Sequence, residues 1–228
     1  MRKIDFSTLP EFLQYWQEDI AKLIRHQVVM IEAKGKPAVG ATRMGGYPDI
    51  PTDREWAKKW KRDGARSTFW DNNYMAQINL DDIPDSVRKS EWPTTGMVWI
   101  FFDHDNGEGD CIYDPRPVKD IPLIAQDDRY TMHSCVVETL PWGTSELTDL
   151  FFKSDELITA YEDWVWKVTL ENSRRATAIL GGWIPMIQSF MEDREDVMFC
   201  INDINWGDAG SLYLCYKDGE FTVEAQTH

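Results

Sequence analysis

No apolar run in the chain approaches the ~18 residues that a membrane-spanning helix needs. The opening Met1-Arg2-Lys3-Ile4-Asp5 meets an acid before any apolar block forms, which is not the build of a secretory leader. Both absences predict a soluble, cytoplasmic protein. Cysteine is scarce: Cys111, Cys135, Cys200 and Cys215 are scattered, without a C-x-x-C pair and without histidine at ligand spacing, so no zinc site is legible. Each lies in or beside an apolar run, where a reduced cysteine behaves as a small buried hydrophobe. The histidines His26, His104, His133 and His228 form no base–nucleophile arrangement, and neither G-x-S-x-G nor H-E-x-x-H occurs. His133, Ser134 and Cys135 are neighbours, but adjacent residues of a strand point to opposite faces. No catalytic residue, metal ligand or cofactor is assigned.

Positive charge is also short. Lys and Arg number 24 against 39 Asp and Glu, leaving a net charge of −15, with an isoelectric point near 4.6. Phosphate-rich partners are repelled by such a surface, which disfavours nucleic acid and acidic membranes. A basic protein partner is favoured, because opposite fields speed encounter and fix orientation. The bland alternative is that acidity only keeps the protein soluble. What the chain does have is core material. Its 228 residues are 43% hydrophobic and 13% aromatic, with 11 tryptophans, enough to exclude disorder.

Periodicity predicts an α+β single domain over residues 1–228 with a mostly antiparallel framework. Leu9, Phe12, Leu13, Trp16, Ile20, Leu23 and Ile24 recur at helical spacing, with Ser7 as a candidate cap and Pro10 in the first turn. Strands are expected at 26–32 and 37–43, joined at Lys34-Gly35-Lys36, then at 74–80, 97–103, 111–113 and 131–140. Two helices follow, 145–152 and 155–171, within a helical insert of about 144–172. The tail returns to strands at 197–201, 211–216 and 221–224, the last two joined by Lys217-Asp218-Gly219-Glu220 as a hairpin.

Three blocks recur in order. Met44-Gly45-Gly46-Tyr47 matches Leu180-Gly181-Gly182-Trp183, and Met75-Ala76-Gln77-Ile78-Asn79 matches Met198-Phe199-Cys200-Ile201-Asn202. Gly96-Met97-Val98-Trp99-Ile100-Phe101-Phe102 matches Gly210-Ser211-Leu212-Tyr213-Leu214-Cys215-Tyr216. An old duplication follows, with related repeats at about 40–115 and 176–228.

These blocks carry a resemblance. Gly45-Gly46-x-Pro48-x-x-Pro51, Met75-Ala76-Gln77-Ile78-Asn79-Leu80, Gly96-x-Val98-x-x-Phe101-Phe102, Leu180-Gly181-Gly182-x-x-Pro185-x-x-Gln188 and Trp206-Gly207-Asp208-Ala209-Gly210-x-Leu212-Tyr213 resemble the YwqG-like bacterial family, a domain of unknown function, over about 40–216. Cys200-Ile201-Asn202-Asp203 departs from the family's Gln-Ile-Asp-Ser stretch, and residues 116–145 match nothing familiar. The resemblance implies an α+β domain with a repeated β framework and supplies no catalytic residues. It also implies, by analogy with small acidic families found near polymorphic toxin genes, an immunity protein that binds and silences a toxin.

Each candidate site has a structural rival. Trp206, Gly207, Asp208 and Gly210 form the tightest motif; Asp208 beside Asp203 suggests a ligand, but a core plug and a tight turn explain the motif as well. Gly45, Gly46, Gly181 and Gly182 lack the following lysine or G-x-G-x-x-G of a phosphate cradle and are followed by prolines, so they read as turns. Asp103, Asp105 and Gly107 suggest a calcium loop. Counted from Asp103, however, Glu108 falls where the sharp-turn glycine belongs, and Pro115 disfavours the helix that should follow Asp114. A solvated acidic hairpin tip is the better reading. The partner-binding candidates are therefore Asp103, Asp105, Glu108 and Asp110, with Glu192, Asp193, Glu195 and Asp196 as a second cluster. They predict a toxin inhibitor that works by occlusion, with exposed Trp or Tyr as anchors. Rival readings are a small-ligand module using a cleft between the repeats, an enzyme reversing a toxin's modification, and a housekeeping protein.

Overall fold

A computed structural model describes residues 1–53, 73–124, 130–170, 176–187, 195–204 and 210–227. The architecture is α+β and its β framework is mostly antiparallel. One sheet has the order β12-β11-β10-β9-β1-β8, from Glu220–Gln226, Ser211–Lys217, Val197–Ile201, Ala178–Gly181, Arg25–Lys34 and Tyr130–Thr139. A second has the order β2-β4-β5-β6, from Arg43–Met44, Tyr74–Asn79, Met97–Asp103 and Glu108–Asp114, and β3 (Ile50–Pro51) pairs with β7 (Leu123–Ile124). Cα packing separates two compact units: Met1–Ile31 with Ser134–Tyr213 and Gln226–His228, and Glu32–His133 with Leu214–Ala225. The expected repeat at 40–115 lies inside the second unit, whereas the one at 176–228 is shared between the two.

In the first unit the amphipathic stretch is not one helix. It folds as 3₁₀ turns at Phe6–Thr8 and Glu11–Trp16, followed by α1 at Gln17–Lys22. Pro10 is the reason. Leu9, the residue before it, is held extended at φ −63°, ψ 130°, so the helix cannot run through. Asp5, rather than Ser7, caps the first turn by accepting the Ser7 N–H. Leu13 and Ile20 still reach the core, with Leu147, Phe151, Tyr161, Trp164 and Val165. Burying a side chain such as Phe151 is worth about 1.5–3 kcal/mol.

Helix α2 spans Ser145–Leu150 and α3 spans Asp155–Val165. Ser154 caps α3 by accepting the Leu157 N–H, and Asp155 and Glu156 sit favourably in its first turn. Its expected extension continues as a π turn, Trp166–Leu170, and residue 171 lies outside the described residues. Two polar tips are tied down in the core: Tyr161 Oη donates to the Pro141 carbonyl at 3.1 Å, and Trp164 Nε1 donates to Thr8 Oγ1 at 2.9 Å.

The expected strand at 37–43 shrinks to Arg43–Met44, and β1 does not form a hairpin with it; β1 pairs with β9, Val28 opposite Leu180. The recurring blocks, by contrast, occupy matching places. Met44 lies opposite Ala76 in one sheet and Leu180 opposite Phe199 in the other, and Arg43–Gln77 matches Ile179–Cys200 in register. All four glycines of the Gly-Gly pairs have left-handed φ between 65° and 69°, the conformation that glycine adopts at least cost. Each Gly-led strand sends its third residue back to the same place. Trp99 Nε1 donates to the Asp49 carbonyl at 3.0 Å, and Tyr213 Oη donates to the Pro185 carbonyl at 3.2 Å. Counted from the strand residue before each Gly-Gly pair, Asp49 and Pro185 stand equally far along.

The cysteines are reduced. Cys200 and Cys215 are buried and Cys111 is half-buried, but Cys135 is exposed, against expectation, in the outward stretch His133–Cys135 of β8.

Candidate functional site

The acidic residues singled out above fall in different places. Asp103, Asp105, Glu108 and Asp110 belong to the hairpin that joins β5 to β6 in the second unit. Asp103 is spent on the turn itself. Its Oδ1 accepts the Asp105 N–H at 2.9 Å, its Oδ2 accepts Asn106 Nδ2 at 2.7 Å, and its carbonyl accepts the Gly107 N–H at 2.8 Å. The Asn106 side-chain bond is the chief reason its carboxyl stays below the ordinary range. A carboxylate so engaged closes a turn rather than offering itself to calcium. The chain turns tightly here, and Phe102 stacks edge-on to His104 at 4.9 Å.

Asp105, Glu108 and Asp110 stand exposed beside it, and no Lys or Arg occurs between Asp103 and Asp114. Beyond the tip, β6 packs against β12. A side chain at Gly109 would lie 2.4 Å from Val223 Cγ1, and the Tyr113 and Phe221 rings are 4.9 Å apart. Only glycine permits that approach. Because alternate residues of a strand face opposite ways, Glu108 and Asp110 point away from β12, while Glu220 points away from β6. The hairpin's acids are thus a row of their own. Cys111 follows them, its thiol pushed up to about 12 by burial and by the Asp110 charge, so it is no nucleophile.

Glu195 and Asp196 lie in the first unit. Glu195 Oε1 accepts Arg25 Nη2 at 2.7 Å, and the same guanidinium sits 3.5 Å over the Trp183 ring. That acid is held by its own chain. Glu192, Asp193, Trp206, Gly207 and Asp208 lie outside the described residues, as do Trp56, Trp60 and Asp127-Asp128. Gly45, Gly46, Gly181 and Gly182 are turns; a Cβ at Gly182 would lie 2.7 Å from Gln27 Cβ and 2.8 Å from Thr139 Oγ1. Gly210 is buried at the start of β11. Among the described residues, no group of three or more His, Cys, Asp or Glu is arranged to hold a metal ion, and no helix is long and apolar enough to cross a membrane.

Sequence reading missed two features. One is a buried polar network beneath β2 and β4. Arg43 and Asp49, each with a side chain only 2% exposed, pair at 3.0 Å. Asp49 Oδ2 also accepts the Gly40 N–H at 2.7 Å and Gln77 Nε2 at 2.8 Å, while the Asp49 N–H donates to Gln77 Oε1 at 2.9 Å. Each carboxylate oxygen is occupied, which suits a structural role. Gln77 within the otherwise apolar run Tyr74–Ile78 was the available signal. The other is Phe152, which follows α2 with φ +52° and an 83% exposed side chain. Its signal was an aromatic where a helix C-terminus calls for glycine.

No curated protein matches the chain. A family model does match, over residues 42–221, most of the sequence and all of β2, β4, β5 and β6. The chain therefore belongs to the family DUF1963, a domain of unknown function.

Proposed function

We propose that this protein is a YwqG-like member of its family that acts in the cytoplasm as an immunity protein, binding a basic toxin domain and silencing it without chemistry of its own. The observation that carries the reading is the single-sign row on the β5–β6 hairpin. Asp105, Glu108 and Asp110 are exposed, and no cationic residue interrupts the segment. A net charge of −15 adds a long-range field that steers a cationic partner and repels nucleic acid and anionic lipid. Asp103 shapes the hairpin turn, so the row is displayed on a fixed scaffold rather than on a loose loop. Occlusion needs only such a display and a few desolvated anchors.

The test is co-expression with the toxin gene that neighbours the immunity gene. Survival, and a complex on gel filtration that Asp105→Asn/Glu108→Gln/Asp110→Asn weakens at low salt, is the expected result. Continued killing with no complex refutes it.

A further inference from the structure

We propose that the turn after α2, together with the 3₁₀ segment Glu11–Trp16, forms a docking surface for a cationic, apolar-faced segment of another protein, with Phe152 as its anchor. The turn is a Schellman motif: Lys153 N–H donates to the Thr148 carbonyl at 2.8 Å and Phe152 N–H to the Asp149 carbonyl at 3.3 Å. The position taken by Phe152 is the left-handed one that glycine usually fills. Phe152 and Lys153 have φ of 52° and 61°, a conformation that is strained for side chains of their kind. Burial would be the ordinary return for placing phenylalanine there. None is made, since the ring is 83% exposed while its neighbour Phe151 fills the core. The fold loses by this residue, so its use lies outside the fold.

The surroundings say what covers it. Phe12 and Tyr15 are 55% and 86% exposed, and residues three apart on a 3₁₀ turn eclipse one another, so the two rings form one row. Trp16 links that row to the turn: its ring is 5.1 Å from Tyr15 and 5.8 Å from Phe151. Within four residues of these rings along the chain, Glu11, Glu18, Asp19, Asp149, Asp155 and Glu156 are exposed, with Lys153 the basic exception. Aromatic anchors inside an acidic rim match an amphipathic segment whose apolar side seats on the rings and whose Lys and Arg meet the rim. A second copy of this chain would bring acid against acid.

A synthetic amphipathic helix of leucine and lysine is the probe, followed by calorimetry and by amide shifts in the full chain. Phe152→Gly is expected to weaken binding about tenfold. The same change should raise Tm by about 2 °C, because the strain is relieved and no burial is lost. Phe12→Ser/Tyr15→Ser should weaken binding as well, and provides a second reading that does not depend on the turn. Asp105→Asn/Glu108→Gln/Asp110→Asn, on the β5–β6 hairpin, changes none of the proposed anchors and should leave probe affinity within about twofold. Unchanged affinity in Phe152→Gly, a fall in its Tm, or amide shifts confined to the β5–β6 hairpin would each overturn the proposal. So would a dimer in sedimentation that Phe152→Gly dissolves. The hairpin reading of toxin binding is tested by a different variant, so either can fail alone.

Discussion

The two four-strand runs, β2-β4-β5-β6 and β9-β10-β11-β12, share a skeleton and differ in their filling. The register of the first strand pair, the glycine conformation and the aromatic hydrogen bond to a carbonyl coincide. The interiors do not. Where the first has Arg43, Gln77 and Asp49, the second has Ile179, Cys200 and Pro185. One copy is held beneath its first two strands by a buried ion pair and the hydrogen bonds around its carboxylate, the other by apolar packing. A strand register follows from backbone pairing and the alternation of side chains, so it survives a complete change of filling. The filling is free to vary as long as most of its buried polar groups keep partners.

Breaking the ion pair should have the largest effect. Arg43→Ala leaves Asp49 as an uncompensated buried charge and should cost about 3–5 kcal/mol in urea unfolding. Arg43→Ala/Asp49→Ala should cost less than the sum of the single changes, because the two share one network; additive costs would show that they do not. The glycine pairs sharpen the contrast next. A Cβ at Gly45, the first glycine of its pair, meets nothing within 4 Å, whereas one at Gly182, the second of its pair, meets Gln27 and Thr139. Gly45→Ala should therefore cost only the left-handed strain, about 1 kcal/mol, and Gly182→Ala about 2–4 kcal/mol. Equal melting shifts in the two variants would contradict this. Tyr213→Phe comes third. It leaves the Pro185 carbonyl and the Ile187 N–H without the hydroxyl that serves both, and about 1–2 kcal/mol is expected from chemical denaturation.

The smallest effect is one of pH. Burial tends to raise the Asp81 carboxyl, but hydrogen bonds from Thr95 Oγ1 at 2.6 Å and from the Gly96 and Val118 N–H groups outweigh it, and its pKa is lowered. The stability this brings is present above the unfolded value of about 3.9 and is lost as pH falls through the lower folded value. Asp81→Asn should thus weaken the fold at neutral pH by under about 1 kcal/mol, with the deficit closing in acid. In the other unit Glu162 is raised by burial, so its contribution runs the opposite way and fades as pH rises through the folded value. Carboxyl titration by NMR should find Asp81 below the usual carboxylate range and Glu162 above it.

Much of this was legible beforehand, and the misses have local causes. The β5 strand, 97–103, was readable because an unbroken apolar run signals burial on both faces. The recurring blocks were readable because they mark strands and the turns between them. Residues 37–43 looked like a strand by composition, but only Arg43–Met44 pairs, with β4. The 3₁₀ turns at the N-terminus were missed because helical spacing does not register how Pro10 constrains Leu9. At the candidate site, sequence distinguished acids from bases but not the directions in which they point. That Glu108 and Asp110 face away from Glu220 depends on Gly109 meeting Val223, two residues far apart in the chain.

Periodicity, charge and the recurring blocks were enough to establish an α+β class, an anionic surface and two related strand sets, because these depend on local pattern and composition. The places where acids gather, the pairing of Glu195 with Arg25 and the exposure of Phe152 beside a buried Phe151 depend on long-range packing. A residue's chemistry is written in its own side chain. Whether that chemistry faces solvent, core or counter-ion is settled by neighbours that the chain supplies from elsewhere.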